Sequence, residues 1–221
     1  MVNNKNAFWQ ALVYTIAILA IGFAVGFFFE GVRSDNLQSI YANSEINLMD
    51  EQLRAQIAQD LNISCTIAVN NEFEFADRIY WEAAKLENAD YATKFTGSLK
   101  TLHKRYDQLR TLLWLESIDL KKRCNADFHT LVYIYDYEPK DINQKALQLS
   151  MSKQLLDLKN KYLDKILLIP IAGDMNLESL NLILDSKDII KLPVVIIDEN
   201  KKFEDLQTLS EIETTIFESN K

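Results

Sequence analysis

The chain has 221 residues, 48% of them hydrophobic and 25% charged, enough for one or two domains with buried cores. Its formal net charge is -8, and no basic stripe breaks that balance, so a nucleic-acid partner is not expected: phosphate binding needs clustered Lys and Arg. Only three prolines are present and the first is Pro139, so no proline interrupts a helix in the first 138 residues, which points to an all-helical N-terminal part and a different C-terminal part.

Ala7–Phe29 reads AFWQALVYTIAILAIGFAVGFFF, 23 residues without a charge. As a helix it spans roughly 34 Å, against a hydrocarbon core of about 30 Å. A cleaved signal peptide would have a shorter apolar region, about 7–15 residues, and a small-x-small cleavage site. This run instead ends in Phe27-Phe28-Phe29-Glu30, so an uncleaved anchor in a cell membrane is expected, with residues 7–29 in contact with lipid. Lys5 before the span and Arg33 after it nearly balance under the positive-inside rule. The sequon Asn62-Ile63-Ser64, which makes Asn62 a glycosylation candidate, and the two cysteines lean toward an extracytoplasmic body. Gly22 and Gly26 lie four apart inside the span, where small residues let two helices approach, so a homodimer through this face is a candidate; ordinary small residues facing lipid give the same pattern.

From Ser34 to about Leu61 apolar residues recur at helical spacing: Leu37, Ile40, Tyr41, Leu48, Leu53, Ile57 and Leu61. A helical stalk continuing from the membrane is the simplest reading, and the imperfect stripe leaves a sustained coiled coil unsecured. Two longer patterns follow. The first, about Thr66 to Tyr91, carries Phe73, Ala76, Tyr80 and Ala83 on one face; the second, about Ser98 to Arg123, carries Leu99, Leu102, Tyr106, Leu109, Leu113 and Leu120, interrupted at Glu116. Gly97 between them offers a turn, and helices joined by a short connection pack antiparallel. The chain's two cysteines, Cys65 and Cys124, open the first pattern and close the second. Antiparallel helices of equal length bring both to the open end of the hairpin, so a structural disulfide is expected over two unrelated buried thiols. Disulfides persist in oxidising compartments, which again favours an extracytoplasmic body.

From Asp127 the pattern changes. Strands are expected at His129–Tyr135, Lys165–Ile171, Leu192–Ile197 and Lys201–Phe203, and helices at Asn143–Tyr162, Leu177–Ile190 and Leu206–Phe217, with a turn at Asp198-Glu199-Asn200. The order is βαβαββα, and alternating strands and helices imply a parallel sheet. Lys201 and Lys202 would discourage further pairing at an edge.

That order, with Leu192-Pro193 ahead of Val194 and a Val/Ile strand followed by a hairpin, resembles the thioredoxin fold over residues 126–221. The resemblance implies that Pro193 is a cis-proline beside a binding groove formed with Leu192 and Val194. It also places an active-site loop where the first strand meets the first helix. That segment reads Tyr135-Asp136-Tyr137-Glu138-Pro139-Lys140-Asp141-Ile142-Asn143, without the Cys-x-x-Cys of thioredoxin-like oxidoreductases. Thiol–disulfide exchange needs a nucleophilic thiolate and a resolving thiol, so inherited redox activity is not expected. The overall plan and the HKRYDQLRTLLW stretch, His103 to Trp114, resemble uncharacterised membrane-anchored proteins of archaea.

The fold expected is therefore α followed by α/β: a membrane anchor (1–33), a helical stalk (34–62), an antiparallel helical hairpin (63–125) and a thioredoxin-like α/β domain (126–221). Asp136, Glu138 and Asp141 cluster in the loop that replaces Cys-x-x-Cys, with Pro139 among them. A solvated loop with Asp141 capping a helix explains them better than a metal or acid–base site. His103 and His129 lie at no metal spacing, and no metal or other cofactor is expected. Trp81 and Trp114 read as packing residues. Function is expected to be a membrane-tethered, non-catalytic interaction or scaffold module that binds a protein partner. The alternative is a thiol–disulfide oxidoreductase or redox chaperone that uses Cys65 and Cys124.

Overall fold

The computed structural model describes residues 4–60, 63–93 and 96–217. Asn62, the acceptor residue of the sequon, lies outside the described residues, as do Leu61 and the 94–95 connection. Contacts divide the chain into two units, Met1–Asp50 and Glu51–Lys221.

The first unit is helical. Helix α1 runs Asn4–Asp60, so the apolar run and the polar segment after it share one helix. No proline and no turn cluster interrupts that stretch. Phe8–Phe29 is long and apolar enough to cross a membrane, and none of it is buried within the chain. Gly22 and Gly26 stand open, with nothing within 4 Å of an added Cβ at either.

The second unit begins with the end of α1 and continues into a helical hairpin, α2 (Cys65–Thr93) and α3 (Thr96–Cys124). Gly97 lies in the first turn of α3 rather than in the connection. The α3 stripe packs as its spacing predicts: Leu102, Tyr106, Leu109, Leu113 and Leu120 are buried. The α2 stripe is displaced by a fraction of a turn. Phe75, Ile79 and Ala83 are buried, whereas Tyr80 is exposed and Phe73 and Ala76 are half-buried. Two aromatics adjacent to acidic residues, Phe73 and Phe75, fit the pattern about equally, and tertiary packing chose the second. The tryptophans also part ways: Trp114 is 0% exposed in the core, whereas Trp81 is 64% exposed and packs edge-on to Tyr80.

The remaining elements are β1 (His129–Tyr135), α4 (Ile142–Tyr162), a 3-10 turn (Leu163–Lys165), β2 (Ile166–Ala172), α5 (Glu178–Ser186), β3 (Val194–Ile197), β4 (Lys201–Phe203) and α6 (Leu209–Phe217). The sheet order is β2-β1-β3-β4. β1 and β2 are parallel from His129↔Ile166 to Tyr135↔Ala172, but β3 pairs antiparallel with β1, Ile134 opposite Val194. The sheet is thus mixed where strand–helix alternation alone implies a parallel one. Helix lengths explain this. α4 has 21 residues and carries the chain back along the full strand. α5 has only 9, about 14 Å, shorter than a seven-residue strand of about 23 Å, and the chain re-enters the sheet at the edge it left. The predicted extension of α5 to Ile190 fails at Lys187 and at Asp188, whose φ is 50°. Pro170 sits in β2, an edge strand, where a missing N–H is tolerated.

One sheet face packs on α4 and α6. Leu131, Tyr133, Val195, Ile197 and Ile166 meet Met151, Leu155, Leu158, Ile212 and Ile216. Alternation along the strands sends Val132, Ile134, Ile169, Val194 and Ile196 to the opposite face, all 0% exposed. Helix α3 packs on β1, β2 and α5. The hairpin is therefore part of the same compact unit as the sheet.

The start of β1 is tied to α3 and to the β3–β4 turn through one carboxylate. Asp198 and Glu199 adopt φ of 45° and 63°, and the Asn200 N–H donates to the Ile197 carbonyl at 3.2 Å, a tight hairpin turn with two left-handed residues. The Asp198 side chain accepts from the Thr130 N–H at 3.1 Å, meets His129 Nδ1 at 2.6 Å and pairs with Lys121 of α3. Burial pushes the Asp198 carboxyl up, but the hydrogen bonds and charges of His129 and Lys121 together outweigh it and hold the group below the usual carboxylate range.

Cys65 and Cys124 form a disulfide with a Cα–Cα separation of 5.4 Å and a sequence separation of 59. It joins the first residue of α2 to the last of α3. Closing a loop of that length stabilises the fold by about 4 kcal/mol in the chain-entropy account. The Cys65→Ser/Cys124→Ser chain should lose roughly that amount in urea unfolding, with its fold intact at low denaturant. A loss below about 1 kcal/mol would show that the loop is already ordered in the unfolded chain.

Candidate functional site

The C-terminal ends of β1 and β2 and the entry to β3 meet at one edge of the sheet. Five segments converge there: the loop after β1 (136–141), the loop after β2 (173–177), the peptide before β3 (190–193), the start of α4, and the 103–110 stretch of α3.

Each segment is held by identifiable contacts. The Leu192–Pro193 peptide is cis. Pro193 and Val194 are buried, and Leu192 is half-buried. The Leu192 carbonyl accepts from Gln144 Nε2 at 3.2 Å, and the same amide pairs with Asp136. Gln148, one turn further along α4, fixes the loop twice: its Oε1 accepts from the Asp136 N–H at 2.9 Å and its Nε2 donates to the Asp136 carbonyl at 3.0 Å. The Tyr137 N–H donates to Asp174 at 2.8 Å and the Gly173 N–H to the Tyr135 carbonyl at 2.8 Å. Gly173 is required by crowding: a Cβ there would lie 2.8 Å from Ile134 Cγ2 and 2.8 Å from Leu192 Cδ1. Asp141 caps α4, accepting from the Asn143 N–H at 3.2 Å, as its position before the helix predicts.

The acidic residues of the loop therefore serve separate purposes. Asp136 is engaged by Gln144, Asp141 is a cap, and Glu138 is exposed. Burial and the nearby Asp174 charge raise the Asp136 carboxyl, with the Gln144 bond opposing them. Among the described residues no group of three or more His, Cys, Asp or Glu side chains could hold a metal ion.

Helix α3 supplies further polar residues from the His103–Trp114 stretch, whose place at this edge the sequence pattern does not give. Asp107 is 0% exposed, and its Oδ1 accepts from the Ala172 N–H at 3.2 Å and from Arg110 Nη1 at 3.3 Å. It thereby satisfies a donor at the end of β2, an edge strand with no neighbour on that side. His103 Nε2 lies 3.2 Å from the Tyr135 hydroxyl and 3.6 Å from Asp107 Oδ2, and its ring packs 4.5 Å from that of Tyr137. Burial, then the Arg110 charge, lowers His103 to about 4, so its ring is uncharged near neutral pH and its approach to Asp107 is not an ion pair. Burial raises Asp107 to about 6, with Arg110 and the Ala172 N–H opposing it. The sequence signal for these residues was present: His103, Asp107 and Arg110 recur at 4-3 spacing beside an apolar stripe, where polar side chains must be buried or flank the core. Gln144 and Gln148 repeat the same signal on α4.

The site can hold backbone rigidly and present it; it has no sulfur. Cys124 precedes β1 by a few residues, whereas the loop follows its end, so about 23 Å of strand separates the disulfide from this edge.

The two shifted groups act oppositely on stability. Asp107, raised when folded, binds its proton more tightly in the native state, so its contribution is greatest below about pH 4 and is lost as pH rises through 6. His103, lowered when folded, contributes stability above about pH 6.5 that is lost as pH falls through 4. In the native chain they largely offset each other. Asp107→Asn removes the first and leaves the second, so its melting temperature should fall more steeply than that of the wild type between about pH 6.5 and 4.5, by a few degrees. Equal slopes would contradict the assignment. Asp107→Ala, which also strips Ala172 and Arg110 of their acceptor, should cost about 3 kcal/mol near neutral pH and more below about pH 4, where the Asp107 contribution is greatest.

No family model matches the chain, and no curated protein sequence matches it.

Proposed function

We propose that this chain is a membrane-tethered, non-catalytic interaction module whose body is a thioredoxin-like domain on the extracytoplasmic side of a cell membrane. The strand order β2-β1-β3-β4, with β3 antiparallel and helices on both faces, supports the thioredoxin-like reading. One observation carries the functional reading. The chain's two cysteines are bonded to each other at the end of β1 opposite the 136–141 loop. The place where exchange chemistry would occur therefore has no sulfur, and a standing disulfide suits an oxidising compartment.

What remains at the edge is a shaped backbone. A partner would present an extended segment beside Leu192, Pro193 and Val194, pairing main chain to main chain. Gln144 is its competitor, because it already occupies the Leu192 carbonyl. Ile142, two residues before Gln144, and Ile190, two residues before Leu192, are exposed and would contact the partner's side chains.

Two measurements test this. Protease added to intact cells should remove the body and leave a membrane-embedded N-terminal fragment; a protected body places it on the inner side and overturns the orientation. With reduced glutathione supplied as the electron donor, the purified chain should catalyse reduction of a small mixed disulfide no faster than Cys65→Ser/Cys124→Ser. A rate more than tenfold above that variant would instead establish a thiol–disulfide enzyme.

A further inference from the structure

The last residues of α1, Glu51–Asp60, belong to the globular unit, and Glu51 and Arg54 among them meet the hairpin. Leu53 and Ile57 are exposed, whereas Glu51 is 2% exposed. Arg54 Nη2 lies 2.7 Å from Glu51 Oε2, and Arg78 Nη2 of α2 lies 2.6 Å from Glu51 Oε1. Arg54 Nη1 also donates to the Asn71 carbonyl at 3.1 Å. Both guanidinium groups sit over the buried Phe75 ring, at 4.9 and 5.7 Å from its centroid. Planar cations stacked on an aromatic face are well placed to serve a buried carboxylate.

Two further carboxyl groups complete the cluster, and among the described residues neither has such a partner. Glu72 of α2 is 4% exposed, Glu116 of α3 is half-buried, and the Oε1 of each is buried without a hydrogen bond. The facing charges are Glu51 and Arg54 from α1, Arg78 from α2 and Glu116 from α3, so three carboxyl groups share two guanidinium groups. Glu51 engages both cations. An ionised Glu72 or Glu116 would be a poorly compensated charge, because Arg54 pulls on both while already paired with Glu51.

We propose that protons held by Glu72 and Glu116 latch the 51–60 segment of α1 to the hairpin, and that loss of those protons to solvent releases it. The electrostatics run in that direction. Burial, followed by the Glu116 charge, raises Glu72 to about 8, against the opposing pull of Arg54. Burial raises Glu116 to about 7, with Arg54 opposing and Glu51 adding to the rise. Both groups bind protons more tightly when the segment is docked than when they are solvated. Docking is therefore favoured at lower pH and lost as pH rises through about 7 to 8. Among the described side chains of the segment the apolar ones, Leu53 and Ile57, are exposed and do not anchor it.

The experiment uses the full, disulfide-intact chain in lipid nanodiscs, with nitroxides attached at Ile57→Cys and Asn70→Cys, both exposed sites. Dipolar broadening between the labels should be strong at about pH 6 and fall at least twofold by about pH 9, with a midpoint between 7 and 8. Glu72→Gln/Glu116→Gln, whose amides mimic the protonated acids, should keep the broadening at both pH values. Unchanged broadening in the wild type would overturn the proposal, as would release of the double variant at the wild-type midpoint. Should the double variant not fold, infrared spectra decide. In Asp107→Asn, which removes the carboxyl that titrates near 6, a protonated-carboxyl band lost with a midpoint between 7 and 8 supports the latch, and the absence of a band with that midpoint overturns it.

Discussion

A four-stranded sheet has two apolar faces, and both must be covered. Here α4 and α6 cover one, and on the other the nine-residue α5 cannot suffice. Helix α3 of the hairpin takes up the remainder, with Leu102, Leu109, Leu113 and Trp114 buried nearly to completion. This one packing arrangement organises the rest of the unit. It places Asp107 at the end of β2, Lys121 beside the β3–β4 turn, and Cys124 where the chain turns into β1. The disulfide then carries the constraint from α3 to α2. Hairpin and sheet are thus two parts of one core, and the α3 stripe alone supplies several of its largest buried side chains.

The buried polar groups fall into two classes with different consequences. Asp107, Asp198, Gln144 and Gln148 satisfy backbone groups at the two ends of the sheet and specify the loops there. Their geometry fixes one conformation because each alternative leaves a buried donor or acceptor unpaired. Glu51, Glu72 and Glu116 differ. They sit among three helices with too few cations, and their state depends on protons. The first class makes the proposed docking edge rigid; the second makes one attachment of the unit conditional.

Much of the architecture was legible in the sequence, and the failures have physical causes. The β1 and β4 limits, the α3 stripe, the Asp141 cap and the cysteine pair follow from periodicity, side-chain chemistry and symmetric spacing. The antiparallel β3 did not follow, because it depends on how far α5 runs before Asp188 turns the chain. The buried face of α2 was misplaced because Phe73 and Phe75 compete within two residues and only the neighbouring helices decide between them. At the candidate site, Leu192, Pro193 and the 135–143 loop were visible as motifs. The His103–Trp114 stretch stood out too, but the roles of His103, Asp107 and Arg110 at this edge did not, since they arise from a helix distant in sequence packing on the edge of β2. The engagement of the Leu192 carbonyl by Gln144 is likewise a tertiary fact.

The claim that α3 completes the core of the sheet is tested most directly by expressing residues 126–221 alone and recording thermal unfolding by near-ultraviolet circular dichroism. The account predicts no cooperative transition, because one apolar face of the sheet would be left largely open to water. A sharp transition at the melting temperature of the full chain would contradict it and would make the hairpin a separate domain.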